Sequence, residues 1–442
     1  MPAPAPAPGL LIAAPASGSG KTVVTLGLLR ALAAAGTAVQ PCKVGPDYID
    51  PAFHAAAAGR PSCNLDPWAM RPATLAALVD RLGRGAALVL GEGVMGLFDG
   101  AADGSGSTAD LAAATGWPVV LVLDVRGQGA SAAAVLAGFA RHRGDVAVAG
   151  VILNRAGGAE HAALIARAVA PLGIPVLGWL PRSPDLALPE RHLGLVQAGE
   201  HAGLEAFLER AAALVAARID LAALVSLARP ARLPAAAPAG LVPPPGQRLA
   251  VAADIAFAFA YPWLLQAWRE AGAALVPFSP LADEAPAADA DAVYLPGGYP
   301  ELHAGRLAAN RRFLAGLRAA AARGAAVLGE CGGYMALGEG LVDADGRRHA
   351  MAGLLPLESS FAAPRLTLGY RRARLAGDGP LGRAGTAFAG HEFHYATTAE
   401  GEGGAALFDC RDARGRALGG AGRQRGRVCG SFIHLIDRAE AA

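Results

Sequence analysis

Leu10-Leu11-Ile12-Ala13-Ala14 runs directly into Pro15-Ala16-Ser17-Gly18-Ser19-Gly20-Lys21-Thr22, and a leucine- and alanine-rich segment follows. The apolar run reads as a buried strand, the Gly/Ser stretch as a turn and the segment after it as a helix. That order aims several backbone N–H groups at one phosphate chain; a lysine adds charge on the outer phosphates, and a threonine hydroxyl can ligate Mg²⁺. Ser17, Gly18, Ser19, Gly20, Lys21 and Thr22 are therefore the candidate nucleotide-binding residues, with ATP and Mg²⁺ as the small molecules they imply. Pro15 stands where the usual G-x-x-x-x-G-K-[ST] pattern has its first glycine. An ordinary Gly/Ser turn is the competing explanation, and the flanking strand and helix weigh against it.

Outward from this loop the same rhythm repeats. Gly9–Ala14, Ala87–Leu90, Val119–Asp124, Ala147–Leu153 and Val176–Leu180 read as short buried strands, each followed by a turn and a helical stretch. Alternation of this kind predicts an α/β fold, a parallel sheet with helices on both faces. A Pro/Ala-rich stretch then interrupts it and reads as a linker over 229–247. Strands resume at Leu249–Ala253, Ala292–Leu295 and Ala326–Leu328. The expected organisation is two α/β domains, 1–228 and 248–442, as the length of 442 residues also suggests.

Composition narrows the partners. The net charge of +2 is small and no Lys/Arg block stands out, so neither nucleic acid nor an anionic membrane is expected. Hydrophobic residues reach 53% largely through alanine. No run of about 18 apolar residues suggests a membrane span, and the Met1–Pro8 start lacks the basic region of a signal peptide. Five scattered cysteines without Cys-x-x-Cys argue against a disulfide framework or zinc site and for a reducing cytoplasm. The substrates expected are small molecules, and a homodimer is compatible with the sequence.

Two acids are placed to complete a metal site with Thr22: Asp47, in Lys43-Val44-Gly45-Pro46-Asp47, and Glu92, just past an apolar strand. Ligands of open parallel sheets gather at the C-terminal ends of the strands, and ATP arrives with Mg²⁺. In the second half, Ala326-Val327-Leu328 leads into Gly329-Glu330-Cys331-Gly332-Gly333. This is a G-x-nucleophile-x-G elbow with cysteine as nucleophile, set before a helix N-terminus that favours a thiolate. Candidate bases are His391, His394 and His434. His434, at the end of the apolar run Val428–Ile433, is best placed to return to the elbow. The turn holding Gly297 and Gly298, together with Gly332, can aim N–H groups at an oxyanion or at glutamine.

Taken together these motifs resemble the cobyrinate and hydrogenobyrinate a,c-diamide synthase family. The resemblance rests on ASGSGKT (Ala16–Thr22), KVGPDYIDPAFH (Lys43–His54), EGVMGLFDG (Glu92–Gly100), PERHLGL (Pro189–Leu195), GGYPELHA (Gly297–Ala304), GECGGYMALG (Gly329–Gly338) and GHEFHY (Gly390–Tyr395). It implies a synthetase domain similar to dethiobiotin synthetase and a class I-like, flavodoxin-like glutaminase domain. It also implies conversion of two corrin carboxylates, a and c, to carboxamides, each using one ATP and one glutamine. The Gly430–Asp437 ending looks more like members acting on hydrogenobyrinic acid than on cobyrinic acid. In that family Lys43 steadies acyl-phosphate oxygens, Asn154 contacts adenine, Cys331 is the glutaminase nucleophile and His434 its base. Tyr48, His54, Arg191, His192 and His394 are candidates for corrin contacts, with His391 and His394 expected on a corrin-facing loop. Ile436 stands where ordinary class I glutaminases carry a glutamate, which leaves the group orienting His434 unidentified.

The union of two such halves has a chemical reason. A carboxylate does not accept an amine at neutral pH until ATP converts one oxygen into a leaving group. Ammonia released inside a protein arrives unprotonated, hence nucleophilic. The alternatives are amidation of Ni-sirohydrochlorin or other corrinoid carboxylates, and a P-loop partitioning-type ATPase that would have no chemistry at Cys331.

Overall fold

The computed structural model describes residues 7–183, 186, 190, 191, 194–233, 242–401 and 403–439. The chain divides into two compact units, one of Met1–Trp68 with Pro72–Pro238, the other of Ala69–Arg71 with Ala239–Ala442. Of the linker expected over 229–247, residues 234–241 lie outside the described residues.

The first unit is built on a parallel sheet of seven strands: β1 (Gly9–Ala13), β2 (Val39–Val44), β3 (Cys63–Leu65), β4 (Leu88–Glu92), β5 (Val119–Asp124), β6 (Val148–Ala156) and β7 (Val176–Pro181), in the order β3-β2-β4-β1-β5-β6-β7. Helix α1 (Lys21–Ala34) and helix α2 (Asp50–Ala58) follow β1 and β2. Strands β1, β2 and β4 are buried throughout, as a parallel sheet covered on both faces requires. The order places β4 between β2 and β1, so that Glu92 lies in register with Lys43 on one side and Ile12 on the other. Strand β2, which brings Lys43 into the sheet, is not among the strands that the apolar runs predict. A two-residue ladder, β8 (Glu190–Arg191) with β9 (Gly194–Leu195), stands apart from the sheet.

The second unit carries a mixed sheet of ten strands. Strands β10 (Arg248–Ala252), β11 (Ala274–Phe278), β12 (Ala292–Leu295) and β13 (Ala326–Glu330) pair in parallel, and the segment Val428–Ser431 joins β13 in the same sense. A small sheet is formed by β14 (Gly340–Val342), β15 (Arg348–Ala350), β16 (Leu357–Ser360) and β19 (Thr397–Glu400). The remaining strands of the large sheet are β17 (Thr367–Leu375), β18 (Ala387–His394), β20 (Ala405–Asp412), β21 (Ala417–Arg425), β22 (Val428–Ser431) and β23 (Ile433–Arg438). Its order is β11-β10-β12-β13-β22-β21-β20-β17-β18-β23. Phe257, Phe313, Leu317, Tyr334, Leu337 and Phe432 belong to the core beneath the parallel part. The chain passes from β22 beside β13 directly to β23 beside β18, so Phe432 is the corner that carries His434 from the middle of the sheet order to its edge.

Candidate functional sites

At the mouth of the first sheet, Gly20 adopts φ 83°, a left-handed value that glycine takes without steric cost, and α1 starts at Lys21. The loop is braced from three directions. Ser19 Oγ donates to the Ala16 carbonyl at 2.8 Å, Asn154 Nδ2 to the Ser19 carbonyl at 2.8 Å, and Arg155 to the Gly18 carbonyl at 2.6 Å. Arg155 also pairs with Asp124 at 2.7 Å. Beside the loop opens a cleft of about 620 Å³, lined by Ser17, Gly18, Asp124, Arg126 and Gln128 among others. The motifs alone do not point to Asp124, Arg126 and Gln128, though their position just past β5 is a signal the sequence carries.

Glu92, fully buried, is the hub of a charged cluster. Its Oε1 accepts from Thr22 Oγ1 at 2.7 Å and from Lys43 Nζ at 3.1 Å, with Lys21 Nζ 3.7 Å away. Its Oε2 lies 2.7 Å from His54 Nε2. Burial opposes its charge, but Lys43 and His54 outweigh that and hold the carboxyl well below the usual range. Lys43 also pairs with Asp50 and sits 3.8 Å from Asp47. For Lys43 too burial opposes the charge, and Asp50, Glu92 and Asp47 together hold the ammonium above its usual range. Lys21 is lowered by burial and by neighbouring Lys43. Burial and Asp47 push Asp50 up to about 6. Asp47 accepts the Ile49 and Asp50 amides at 2.8 and 3.0 Å, which fixes the start of α2.

The structure thus gathers Lys21, Thr22, Lys43, Asp47 and Glu92. His54, expected at a substrate, is fully buried against Glu92 and Ser62 and has no surface to offer one. Tyr48 is half-buried on the loop ahead of α2. His192 and the side chain of Arg191 lie outside the described residues. Thr22 and Glu92 present adjacent oxygens of the kind a hard cation takes, so the donor set fits Mg²⁺. Among the described residues no group of three or more His, Cys, Asp or Glu is arranged for a metal ion. A cation here would draw most of its ligands from phosphate oxygens and water.

In the second unit β13 ends in the elbow. Cys331 has φ 48° and ψ −105°, a strained conformation for a residue with a Cβ. Its N–H donates to the Ser431 carbonyl at 2.8 Å, and the helix Gly332–Leu337 starts immediately after. Gly297 is wedged between the partners: a Cβ there would lie 2.4 Å from His434 Cε1, 2.9 Å from Nε2 and 3.2 Å from Cys331 Cβ. A side chain there would collide with the ring and press on Cys331 Cβ. Gly298 N is 3.0 Å from the site of a Cβ on Gly332, so the glycines expected to bind the oxyanion or glutamine line one wall.

Both partners are neutral at rest. Burial pushes the Cys331 thiol up. Burial, with His391 and His394 as neighbours, lowers His434 to about 3. His391 and His394 are on strand β18 and not on a loop, because the segment is held in an antiparallel ladder in which His391 pairs with His434. His394 stacks on Phe432 at 3.9 Å and lies 3.2 Å from Glu392, which binds Arg371.

A phosphate-loop sheet and a cysteine-elbow sheet on one chain define a carbon–nitrogen ligase that draws on glutamine. Residues 10–196 match the CobQ/CobB/MinD/ParA nucleotide binding domain, and residues 248–441 match the CobB/CobQ-like glutamine amidotransferase domain. The chain is 58% identical over 431 residues to hydrogenobyrinate a,c-diamide synthase of Brucella suis biovar 1, covering 97% of this chain and 98% of the relative. It is 59% identical over 432 residues to the Rhodobacter capsulatus protein of that name, covering 97% and 98%. The Sinorhizobium sp relative is 56% identical over 440 residues, covering 98% and 100%. The chain belongs to the hydrogenobyrinate a,c-diamide synthase family. No helix among the described residues is long and apolar enough to cross a membrane.

Proposed function

We propose that this protein converts the a and c carboxylates of hydrogenobyrinic acid to carboxamides in cobalamin biosynthesis, using ATP and glutamine. The reading is carried by 56–59% identity over nearly the whole chain to synthases named for that substrate. The charged cluster supplies what activation of a carboxylate needs. Ser17–Thr22 would hold the phosphates, with the base in the cleft beside Asp124 and Gln128 and Asn154 behind the loop. Lys21 lies toward the transferred phosphate, and Lys43 steadies the oxygens of an acyl phosphate. Thr22, Asp47 and Glu92 would hold Mg²⁺, which when bound offsets phosphate charge.

At the elbow, Cys331 attacks the glutamine amide carbon as its proton passes to His434, and Gly297, Gly298 and Gly332 face the oxyanion. His434 then returns the proton to the departing ammonia, and water cleaves the glutamyl thioester left on Cys331, releasing glutamate and restoring the thiol. The ammonia attacks the acyl phosphate and releases phosphate. The 1–228 and 248–442 halves would thus divide the work as synthetase and glutaminase.

The test is incubation with ATP, Mg²⁺, glutamine and either hydrogenobyrinic or cobyrinic acid, with amides counted by mass spectrometry. Two amides on hydrogenobyrinic acid are expected. ATP hydrolysis without amide formation on any corrinoid would overturn the proposal. In Cys331→Ser, ammonium should replace glutamine; failure of that rescue in folded protein would refute the two-site division.

A further inference from the structure

Ile436 leaves His434 without the acid that class I glutaminases place two residues later. An acid nevertheless reaches the ring from another strand. Glu330, the residue before Cys331 on β13, is buried, and its Oε2 lies 3.9 Å from His434 Nδ1. The opposite edge of the ring, Cε1 and Nε2, faces Gly297 and Cys331. The two ring nitrogens therefore look at different neighbours, as a relay from thiol to imidazole to carboxylate requires. We propose that Glu330 is the positioning residue of His434: it holds the imidazole from the Nδ1 side and is the counter-ion when Nε2 takes the Cys331 proton. The inference rests on Cys331 and His434 being the glutaminase pair.

The carboxylate is itself held at both oxygens. Tyr294 Oη donates to Oε2 at 2.7 Å, and the Leu435 amide donates to Oε1 at 3.2 Å. The second contact ties Glu330 to the backbone next to His434, so it sets ring position as well as charge. Trp268 packs edge-on against Tyr294 with ring centroids 5.1 Å apart, which limits movement of the phenol. A gap of 3.9 Å suits a resting site, since such contacts tighten once substrate brings charge onto the ring. The proton balance is simple: it leaves Sγ, resides on Nε2 and departs with ammonia, while Glu330 in its ionised form neither gains nor loses a proton.

Burial pushes Glu330 up to about 7, with the Tyr294 and Leu435 hydrogen bonds opposing. The titratable groups around the pair are Cys331, Tyr294, His391, His394 and Cys429, with Glu301 and Glu392 acting on Cys331. His434 is displaced downward and Cys331 upward, both away from neutral pH. An acidic limb of glutaminase activity near pH 7 would accordingly belong to Glu330.

The experiment is glutamine hydrolysis by the full-length protein against pH, in wild type, Cys331→Ser, Glu330→Gln and Tyr294→Phe, with melting curves alongside. Glu330→Gln should lower kcat about 10- to 100-fold, the range for losing a hydrogen bond to a charged group, with KM for glutamine within about three-fold. Its residual activity should lack the acidic limb. Tyr294→Phe removes a hydrogen bond to the carboxylate and should move the limb to higher pH; this variant decides the matter if Glu330→Gln fails to fold. Wild-type kcat in Glu330→Gln, or a reduced kcat with the limb unmoved in both variants, would overturn the proposal. Absence of hydrolysis in wild type, or its persistence in Cys331→Ser, would instead overturn the assignment of Cys331.

Discussion

The cluster around Glu92 and the pair around Cys331 are both buried, yet they treat charge in opposite ways. Around Glu92, Lys21, Lys43, Asp50 and Asp47 gather within a few ångströms, and Glu92 and Lys43 are held charged by opposite charges beside them. Around Cys331, burial leaves thiol and imidazole uncharged. The difference matches what each site would meet. A triphosphate arrives charged and needs fixed cations in a fixed geometry. A glutamine amide arrives neutral, and charge needs to appear only while the bond is being made.

The largest expected effect tests whether the charged cluster is as interdependent as its geometry implies. Lys43→Met leaves Asp50 and Glu92 facing each other without their shared cation. Loss of one partner from a buried ion network costs about 3–5 kcal/mol, readable by chemical denaturation. A change below about 1 kcal/mol would mean that water already screens the cluster. Next is Lys21→Ala, expected to lower glutamine- and ammonia-driven amidation alike by about 10²- to 10³-fold. Continued glutamine hydrolysis in that variant would show that the two sites fail separately; unchanged amidation would remove Lys21 from the reaction.

The uncharged pair makes the opposite prediction, on acidification. An unfolded histidine takes a proton below its ordinary 6.5, whereas His434 stays neutral down to about 3. The unfolded state thus binds more protons, and stability falls as pH drops. The loss from this one group is about 2 kcal/mol between pH 6.5 and about pH 5. Denaturation at the two pH values should show a smaller loss in His434→Gln. Equal slopes would place the acid sensitivity elsewhere. The smallest effect is at Asp47, half-buried at the edge of the cluster. Asp47→Asn should change stability by less than about 1 kcal/mol while raising the Mg²⁺ concentration needed for half-maximal amidation. An unshifted Mg²⁺ curve would make Asp47 a cap for α2 and nothing more.

The legibility of the two sites in the sequence follows the same divide. The phosphate loop and the elbow are readable because each is a strand, a glycine turn and a helix in continuous sequence. Strand β2 is not, since Val39-Gln40-Pro41-Cys42-Lys43-Val44 mixes proline and lysine into what is otherwise a buried run. Strand β18 reads as a loop because two histidines and a glutamate disguise its pattern; Glu392 is taken up by Arg371 on β17 and by His394 on its own strand, which sequence spacing does not show. His54 looks like a substrate contact because a buried histidine and an exposed one are written with the same letter. Glu330 escapes notice for a related reason. In G-x-C-x-G it occupies a position that places no demand on the turn, and its meaning emerges only when Leu435 and Tyr294 arrive from elsewhere in the chain.

The strained backbone at Cys331 also bears on how such a protein can age over generations. A residue with φ 48° and ψ −105° is held by its surroundings against its own preference, at about 1–3 kcal/mol. Glycine tolerates that region more easily. In a lineage with ample ammonia, a change of Cys331 to glycine would therefore be welcomed by the fold even as it silenced the elbow. Under the proposed function the use of the thiol opposes that gain, and relaxed selection would leave only its packing in the core to hold it.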